Sequence, residues 1–234
     1  MLYRKILYFS ISVTIVLVLA CGFGGGEPED NDDTGPTSLS FPMDDGTSWT
    51  YKCEETAPET SYTLVKTISG SVIIPHDTIG YTQPEYPETL TWVRQYDRDS
   101  TFYLNDGEYI WFGQMDSTLG SFGLNPFVPF RVVKLDYEIG DTFSTLIHKG
   151  SGFLTADITF SAIIDNHEDV TVPAGFFQDC LKIDATLLVI SMLGEDTVFS
   201  TIWFADEIGQ IKRWDYYESG SNHTYIEELA DYDI

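Results

Sequence analysis

The side chains able to do chemistry are few and scattered. The four histidines are His76, His148, His167 and His223. None has a second His or a Cys at metal-ligand spacing. His167-Glu168-Asp169 lacks the second His that a zinc-protease helix places one turn on. Neither a Gly-x-Ser-x-Gly elbow nor a Ser-x-x-Lys pair occurs, and Gly150-Ser151-Gly152 opens no helix that could cradle a phosphate. Asp30, Asp32 and Gly35 have the first offsets of a calcium loop, but its twelfth position is Phe41, where a bidentate Glu is needed. No cofactor or metal is implied, and no pair of carboxylates stands out. The chain is read as non-catalytic; a triad assembled from distant residues is the alternative that local motifs do not address.

Aromatic residues make up 15% of the chain. Trp92, Tyr103, Tyr109, Trp111 and Trp214, together with Tyr96, fall outside obvious core phases. On a concave β surface such rings stack on sugars or line a lipid pocket. The plainer reading is core packing and cross-strand pairing.

The thiols fall into two groups. Cys21 ends the opening segment, described below. Cys53 and Cys180 sit far apart in sequence. Export to an oxidising compartment permits a disulfide between them. Cys53, however, lies on the apolar face of its segment, whereas Cys180 is in phase with the polar Lys182 and Asp184. Two separate thiols are the alternative.

The elements that must position these groups are strands. Leu154, Ala156, Ile158, Phe160, Ala162 and Ile164 alternate with Thr155, Asp157, Thr159 and Ser161. Leu181, Ile183, Ala185, Leu187 and Val189 alternate with Lys182, Asp184 and Thr186. Trp49, Tyr51 and Cys53 share one face of a third segment. Period-two alternation marks half-buried strands, and helical periodicity is nearly absent. Asn105-Asp106-Gly107 predicts a tight hairpin, as does Asp206-Glu207-Ile208-Gly209. Pro173-Ala174-Gly175 breaks a strand, after which Phe176-Phe177 is expected to plug one end of the fold. The expectation is an all-β, antiparallel domain of roughly ten to twelve strands, an open or half β-barrel or a sandwich.

Two stretches echo each other. Phe41–Trp49 and Leu135–Phe143 each run to a Gly, two polar residues and an aromatic, with Gly46 and Gly140 94 positions apart. Two related halves, 41–134 and 135–234, would explain this, and so would reuse of one turn. In the first case Asn125–Phe130 would be the crossover.

The opening segment fixes the compartment. Arg4-Lys5 precedes an uncharged run from Ile6 to Ala20. At roughly 15 residues it is short of the roughly 20 needed to span a bilayer and fits a secretory signal. Val18-Leu19-Ala20-Cys21 resembles the bacterial lipobox. The resemblance implies a signal peptide over 1–20, a diacylglycerol on Cys21, and membrane attachment through that lipid. Gly22 in place of Asp implies the outer membrane where two membranes exist. From residue 21 to 40 the chain is acidic and Gly-rich, too poor in apolar surface to order itself, and reads as a tether for a β domain at 41–234. Loss of residues 1–20 removes two basic residues and no acid, so the net charge goes from −25 to −27. Such a surface repels phosphate backbones and excludes nucleic acid as a partner.

Three segments, FPMDDGTSWTY at 41–51, VTVPAGFFQDCLKI at 170–183 and TIWFADEIGQIKRWDY at 201–216, resemble a broad group of uncharacterised secreted bacterial proteins and lipoproteins. The resemblance implies an envelope location and an all-β domain. It carries no catalytic residue. The functional expectation is a non-catalytic lipoprotein that binds a small hydrophobic or carbohydrate ligand, or an envelope protein. A surface-adhesion protein without a pocket and a hydrolase with a non-local site are the alternatives.

Overall fold

The computed structural model describes residues 38–56, 59–75, 89–96, 101–115, 127–151, 154–191, 194–218 and 223–234. Side chains within them are described except at 72–75, 89–96, 101, 114–115, 148–151 and 154. Cys21, the tether up to residue 37 and His76 lie outside the described residues.

Every described element is a strand. In chain order they are β1 (Ser48–Thr56), β2 (Glu59–Pro75), β3 (Thr89–Tyr96), β4 (Thr101–Asn105), β5 (Tyr109–Met115), β6 (Phe127–Lys134), β7 (Thr142–Ser151), β8 (Leu154–Val172), β9 (Gly175–Ser191), β10 (Gly194–Ala205), β11 (Gly209–Tyr217) and β12 (His223–Asp233). They form one antiparallel sheet in the order β6-β5-β4-β3-β2-β1-β12-β11-β10-β9-β8-β7. The fold is thus two six-stranded meanders joined by the pairing of β1 with β12.

The expected all-β architecture is found, and the sheet is not closed. Its two edges, β6 and β7, are neighbours in sequence but form no ladder with each other, and the contacts between the β5–β6 and β7–β8 ends of the sheet involve side chains. The Arg131 amide donates to Thr145 Oγ1 at 3.2 Å. The rings of Phe130 and Phe160 lie 5.4 Å apart, and those of Tyr109 and Phe143 5.8 Å. The result is an open sheet, curved enough to bring its two ends into contact, of the half-barrel or sandwich type. Its buried residues include Trp49, Ile68, Ile147, Ile164, Leu181, Ile183 and Leu229.

Two lead-in turns are built alike. Before β1, the Gly46 amide donates to Ile68 O at 3.0 Å, and the Ile68 amide donates to Thr47 O at 2.8 Å. Before β7, the Gly140 amide donates to Ile164 O at 2.8 Å, and the Ile164 amide to Asp141 O at 2.9 Å. Both glycines are left-handed, with φ of 97° and 93°, a conformation that costs an L side chain roughly 1–2 kcal/mol. Each turn therefore pins one hairpin to the strand beside it. Of the segment expected as a crossover, Phe127 to Phe130 instead open β6, where β5 gives their apolar run a partner strand, and residues 125 and 126 lie outside the described residues. The link between the meanders is 135–141.

The predicted hairpins form. Gly107 has φ of 93°, and the Asp106 carboxylate accepts the Glu108 and Tyr109 amides at 2.9 and 2.7 Å. Pro173 and Ala174 make the turn between β8 and β9, with Val172 opposite Gly175. The expected plug is only half realised. Phe177 packs on Tyr232, but Phe176 faces solvent at 59% exposure.

Candidate functional site

The concave face encloses a cavity of about 510 Å³, within the roughly 300–1,000 Å³ range of small-molecule sites. Its walls divide by strand. The flanking strands contribute apolar side chains, among them Tyr103, Phe112, Phe130, Phe160 and Leu187, and β2 and β10 add Leu64, Val198, Ile202 and Phe204. The polar groups come from the central strands β1, β2, β10, β11 and β12, where the two meanders join.

Those polar groups occupy two lateral rungs. One runs Cys53, Glu227, Arg213, Ile202 across β1, β12, β11 and β10. The next runs Glu55, Tyr225, Asp215, Ser200 over the same strands. Adjacent strands lie roughly 4.8 Å apart, so each group reaches its neighbour. A bulge helps. Trp203 pairs with Lys212 and Phe204 with Gln210, which leaves Ile211 as the extra residue. This phase shift lets Gln210 join Arg213 at the cavity.

Glu227 is buried at 2% exposure. Lys66 of β2 donates to its Oε1, which also accepts from Gln210 Nε2 at 2.9 Å. Tyr225 OH donates to Oε2 at 2.6 Å. Burial pushes the Glu227 carboxyl up, but Lys66, with Tyr225 and Arg213, outweighs it, and the group is held below its ordinary value of 4.5. Lys66 also sits 4.5 Å from the centre of the Tyr51 ring. Burial and the Glu227 charge together raise the Tyr225 phenol far above its ordinary value.

The second pair is Arg213 with Asp215. Arg213 Nε donates to Asp215 Oδ1 at 2.8 Å, and Nη2 lies 2.8 Å from Oδ2. Ser200 Oγ donates to the same Oδ1 at 2.7 Å. Burial opposes the Arg213 charge, yet Asp215 beside it keeps the guanidinium cationic. Asp215 is 1% exposed, whereas 34% of the Arg213 side chain is open, and Arg213 lines the cavity. Isolated ions would not tolerate such burial; paired and hydrogen-bonded ones do.

One end of the cavity is stopped by Phe41. Its ring lies 5.1 Å from that of Tyr103 and 6.4 Å from that of Phe204. Gly209 opposes it so closely that a Cβ would lie 3.1 Å from the ring. This contact joins two of the three segments that resemble other secreted proteins. Trp49 Nε1 donates to Ile208 O at 2.7 Å and Tyr51 OH to Gln210 O at 2.8 Å, which joins them again. A second depression, about 670 Å³, lies over β7–β10 among Ser144, Ser161, Thr186 and the exposed Phe199. It is a shallow trough without a buried ion pair.

The sequence-selected aromatics are dispersed. Tyr103 is buried and lines the cavity. Trp111 is 3% exposed. It donates Nε1 to Asp106 Oδ2 at 2.6 Å, and its ring lies 5.0 Å from the Arg131 guanidinium carbon. Tyr109 packs on the same guanidinium at 4.8 Å. Trp214 is 39% exposed, between the inward Arg213 and Asp215. Trp92 pairs with Val72 on β3, and its side chain is outside those described. Trp111 and Tyr109 thus pack against Arg131, and of the described candidates Tyr103 lines the cavity.

The two thiols are not bonded to each other; of the two readings, separate thiols is the one found. Cys53 Sγ lies 3.4 Å from Tyr225 OH. Cys180 Sγ lies 3.5 Å from Phe177 O, and burial pushes that thiol up to about 11. Cys180 turns inward, out of phase with Lys182 and Asp184, where Asp179 has φ of 53° and a bulge separates Glu168 from Val170. His167, the other singled-out residue, lies between Tyr137 OH at 2.9 Å and Asp179 Oδ1 at 2.8 Å. Among the described residues no three His, Cys, Asp or Glu side chains converge on a metal-sized site.

The residues that sequence reasoning missed are Lys66, Glu227, Arg213, Asp215 and Ser200. A signal was there: Lys66 lies between Leu64 and Ile68, and Glu227 between Tyr225 and Leu229, each a charge in the apolar phase of its strand.

The fold and cavity define a class: an open, antiparallel all-β sheet of the half-barrel or sandwich type with a charge-paired interior. Among solved structures the chain is similar to a candidate lipoprotein from Parabacteroides distasonis ATCC 8503, at a TM-score of 0.53 and 12% identity, over 84% of this chain and 99% of that one. It is also similar to a candidate exported protein with a YmcC-like fold from Bacteroides fragilis NCTC 9343, at a TM-score of 0.42 and 14% identity, over 84% of this chain and all (100%) of that one. At 12% identity the first likeness is one of fold. No protein-family model and no curated protein matches the chain.

Proposed function

We propose that this is a lipid-anchored envelope protein whose β domain binds a small amphiphilic ligand in the concave cavity. The observation that carries the reading is the cavity itself: about 510 Å³, apolar at its flanks, with two ion pairs along its centre whose carboxylates are buried. Buried charge clusters of this kind are costly to build and commonly belong to sites that orient a ligand. The lipobox residues 18–21 support the anchor, and the Parabacteroides structure of like fold is itself described as a candidate lipoprotein. Gly22 in place of Asp supports the outer membrane where the host has two membranes. The two meanders are read as related halves divided at 134/135.

The role is read as non-catalytic. Tyr137–His167–Asp179 has the spacing of a relay, but its hydroxyl belongs to a buried tyrosine. Burial, then Asp179, pushes that phenol up to about 12. Such a group is a poor nucleophile at neutral pH.

Two experiments test the proposal. Membrane fractionation of Cys21→Ser is expected to release the protein as soluble material; retention in the membrane would remove the anchor. Native mass spectrometry of the released chain is expected to show a co-purifying small molecule, or uptake of an added amphiphile. A chain that takes up none would point to the adhesion reading instead.

A further inference from the structure

The rungs also indicate which amphiphile fits, an inference that rests on the binding function proposed above. Both buried carboxylates are partnered, Glu227 by hydrogen bonds on both oxygens and Asp215 by hydrogen bonds on Oδ1 alone, its Oδ2 facing Arg213 without one. Glu227 accepts from Lys66, Gln210 and Tyr225. Asp215 accepts from Arg213 and Ser200 and is ion-paired through its second oxygen. What is left over faces the cavity. The Arg213 Nη1 amino group and the Tyr217 hydroxyl have no hydrogen-bond partner among the described residues, and both residues line the cavity. These are donors awaiting an acceptor. Glu55, on the rung of Asp215, has one carboxylate oxygen engaged by Tyr62 OH at 2.9 Å and the other 4.0 Å from His223 Nε2. That second oxygen is an acceptor awaiting a donor.

The charge count decides between ligand heads. The cavity holds two cations, Lys66 and Arg213, and three carboxylates, Glu227, Asp215 and Glu55. An anionic head placed on Arg213 would meet Asp215 and Glu55 at close range, in a setting where charges are weakly screened. A cationic head placed on Glu55 would meet Arg213 on the neighbouring rung. A neutral head suffers neither repulsion. We infer that the cavity selects a neutral amphiphile whose head both accepts and donates hydrogen bonds, of the acylglycerol type, with an ester or hydroxyl oxygen on Arg213 and Tyr217 and a hydroxyl donating to Glu55. The acyl portion lies along Phe130, Phe160 and Leu187.

The test is a pair of titrations on the Cys21→Ser chain, with a monoacylglycerol and with the fatty acid of the same chain length, at a pH where the acid is ionised. The monoacylglycerol is expected to bind at least roughly tenfold more tightly, the equivalent of one or two hydrogen bonds and an avoided repulsion. Tyr217→Phe keeps the ring and removes the hydroxyl; it is expected to weaken the monoacylglycerol several-fold and leave the fatty acid unchanged. Arg213→Lys keeps the charge on Asp215 but removes the spare amino group, and is expected to narrow the preference further. Should Arg213→Lys fail to fold, Tyr217→Phe alone decides. Fatty acid binding as tightly as the ester would overturn the inference and leave a binding cavity in place. Binding of neither would overturn both this inference and the ligand-binding function beneath it.

Discussion

The two meanders begin on the same turn and diverge at the next inward pair. In the first, Trp49 on β1 pairs with Lys66 on β2. In the second, Phe143 on β7 pairs with Ala162 on β8. The turns above them share their hydrogen bonds and their left-handed glycines. Where the second half carries a methyl group, the first carries an ammonium that reaches Glu227. One scaffold thus gives an apolar flank in one half and the beginning of the polar centre in the other. Backbone geometry specifies the sheet, and single inward side chains specify the polarity of the cavity wall.

The comparison is broken most severely at Lys66. Lys66→Met leaves Glu227 buried without its cation, at a cost of roughly 3–5 kcal/mol; a large fall in midpoint on chemical denaturation is expected. Ala162→Ser, at the equivalent place, is expected to cost far less. A similar loss at both positions would show that the halves do not differ as described.

Next comes Gly209→Ala. It places a side chain at φ of 91° and within 3.1 Å of the Phe41 ring, so it combines backbone strain with displacement of the cavity stopper. A loss of roughly 2–3 kcal/mol is expected. Gly46→Ala and Gly140→Ala share the strain but have open space where the Cβ would go. Each is expected to cost about 1–2 kcal/mol, and equally. Unequal values measured by thermal unfolding would mean that the two turns are not equivalent in energy.

The smallest effect is in pH dependence. The folded Glu227 carboxyl titrates below its ordinary value of 4.5. Its contribution to stability is therefore complete above that value and lost as pH falls toward the folded pKa. Acid titration of stability should show this loss in the wild type. Glu227→Gln, already destabilised at neutral pH, should show a flatter acid limb.

Much of the fold was legible in the sequence, because period-two alternation is a direct image of a half-buried strand. Its failures lie at irregularities. The alternation from Leu154 stops at Ile164, yet β8 continues to Val172. Bulges after Ile164 and after Glu168 reset the phase. The same effect hid the burial of Cys180. The cavity was less legible, since aromatic content marks core and binding surface alike. Trp111 and Tyr109 pack against Arg131, while Tyr103 reaches the cavity, and nothing local in their flanking sequence separates them. Lys66 and Glu227 were visible as charges in an apolar phase, but their pairing across 161 positions depends on β1 lying between β2 and β12. That adjacency is a property of topology.

The central claim is that the concave face holds a ligand. The direct measurement is native mass spectrometry of the Cys21→Ser chain beside Leu187→Trp in the same background, which fills the cavity from its apolar flank. The account predicts a bound small molecule on the first and none on the second at similar thermal stability. Equal occupancy in both, or an empty parent chain that takes up no amphiphile, would contradict it.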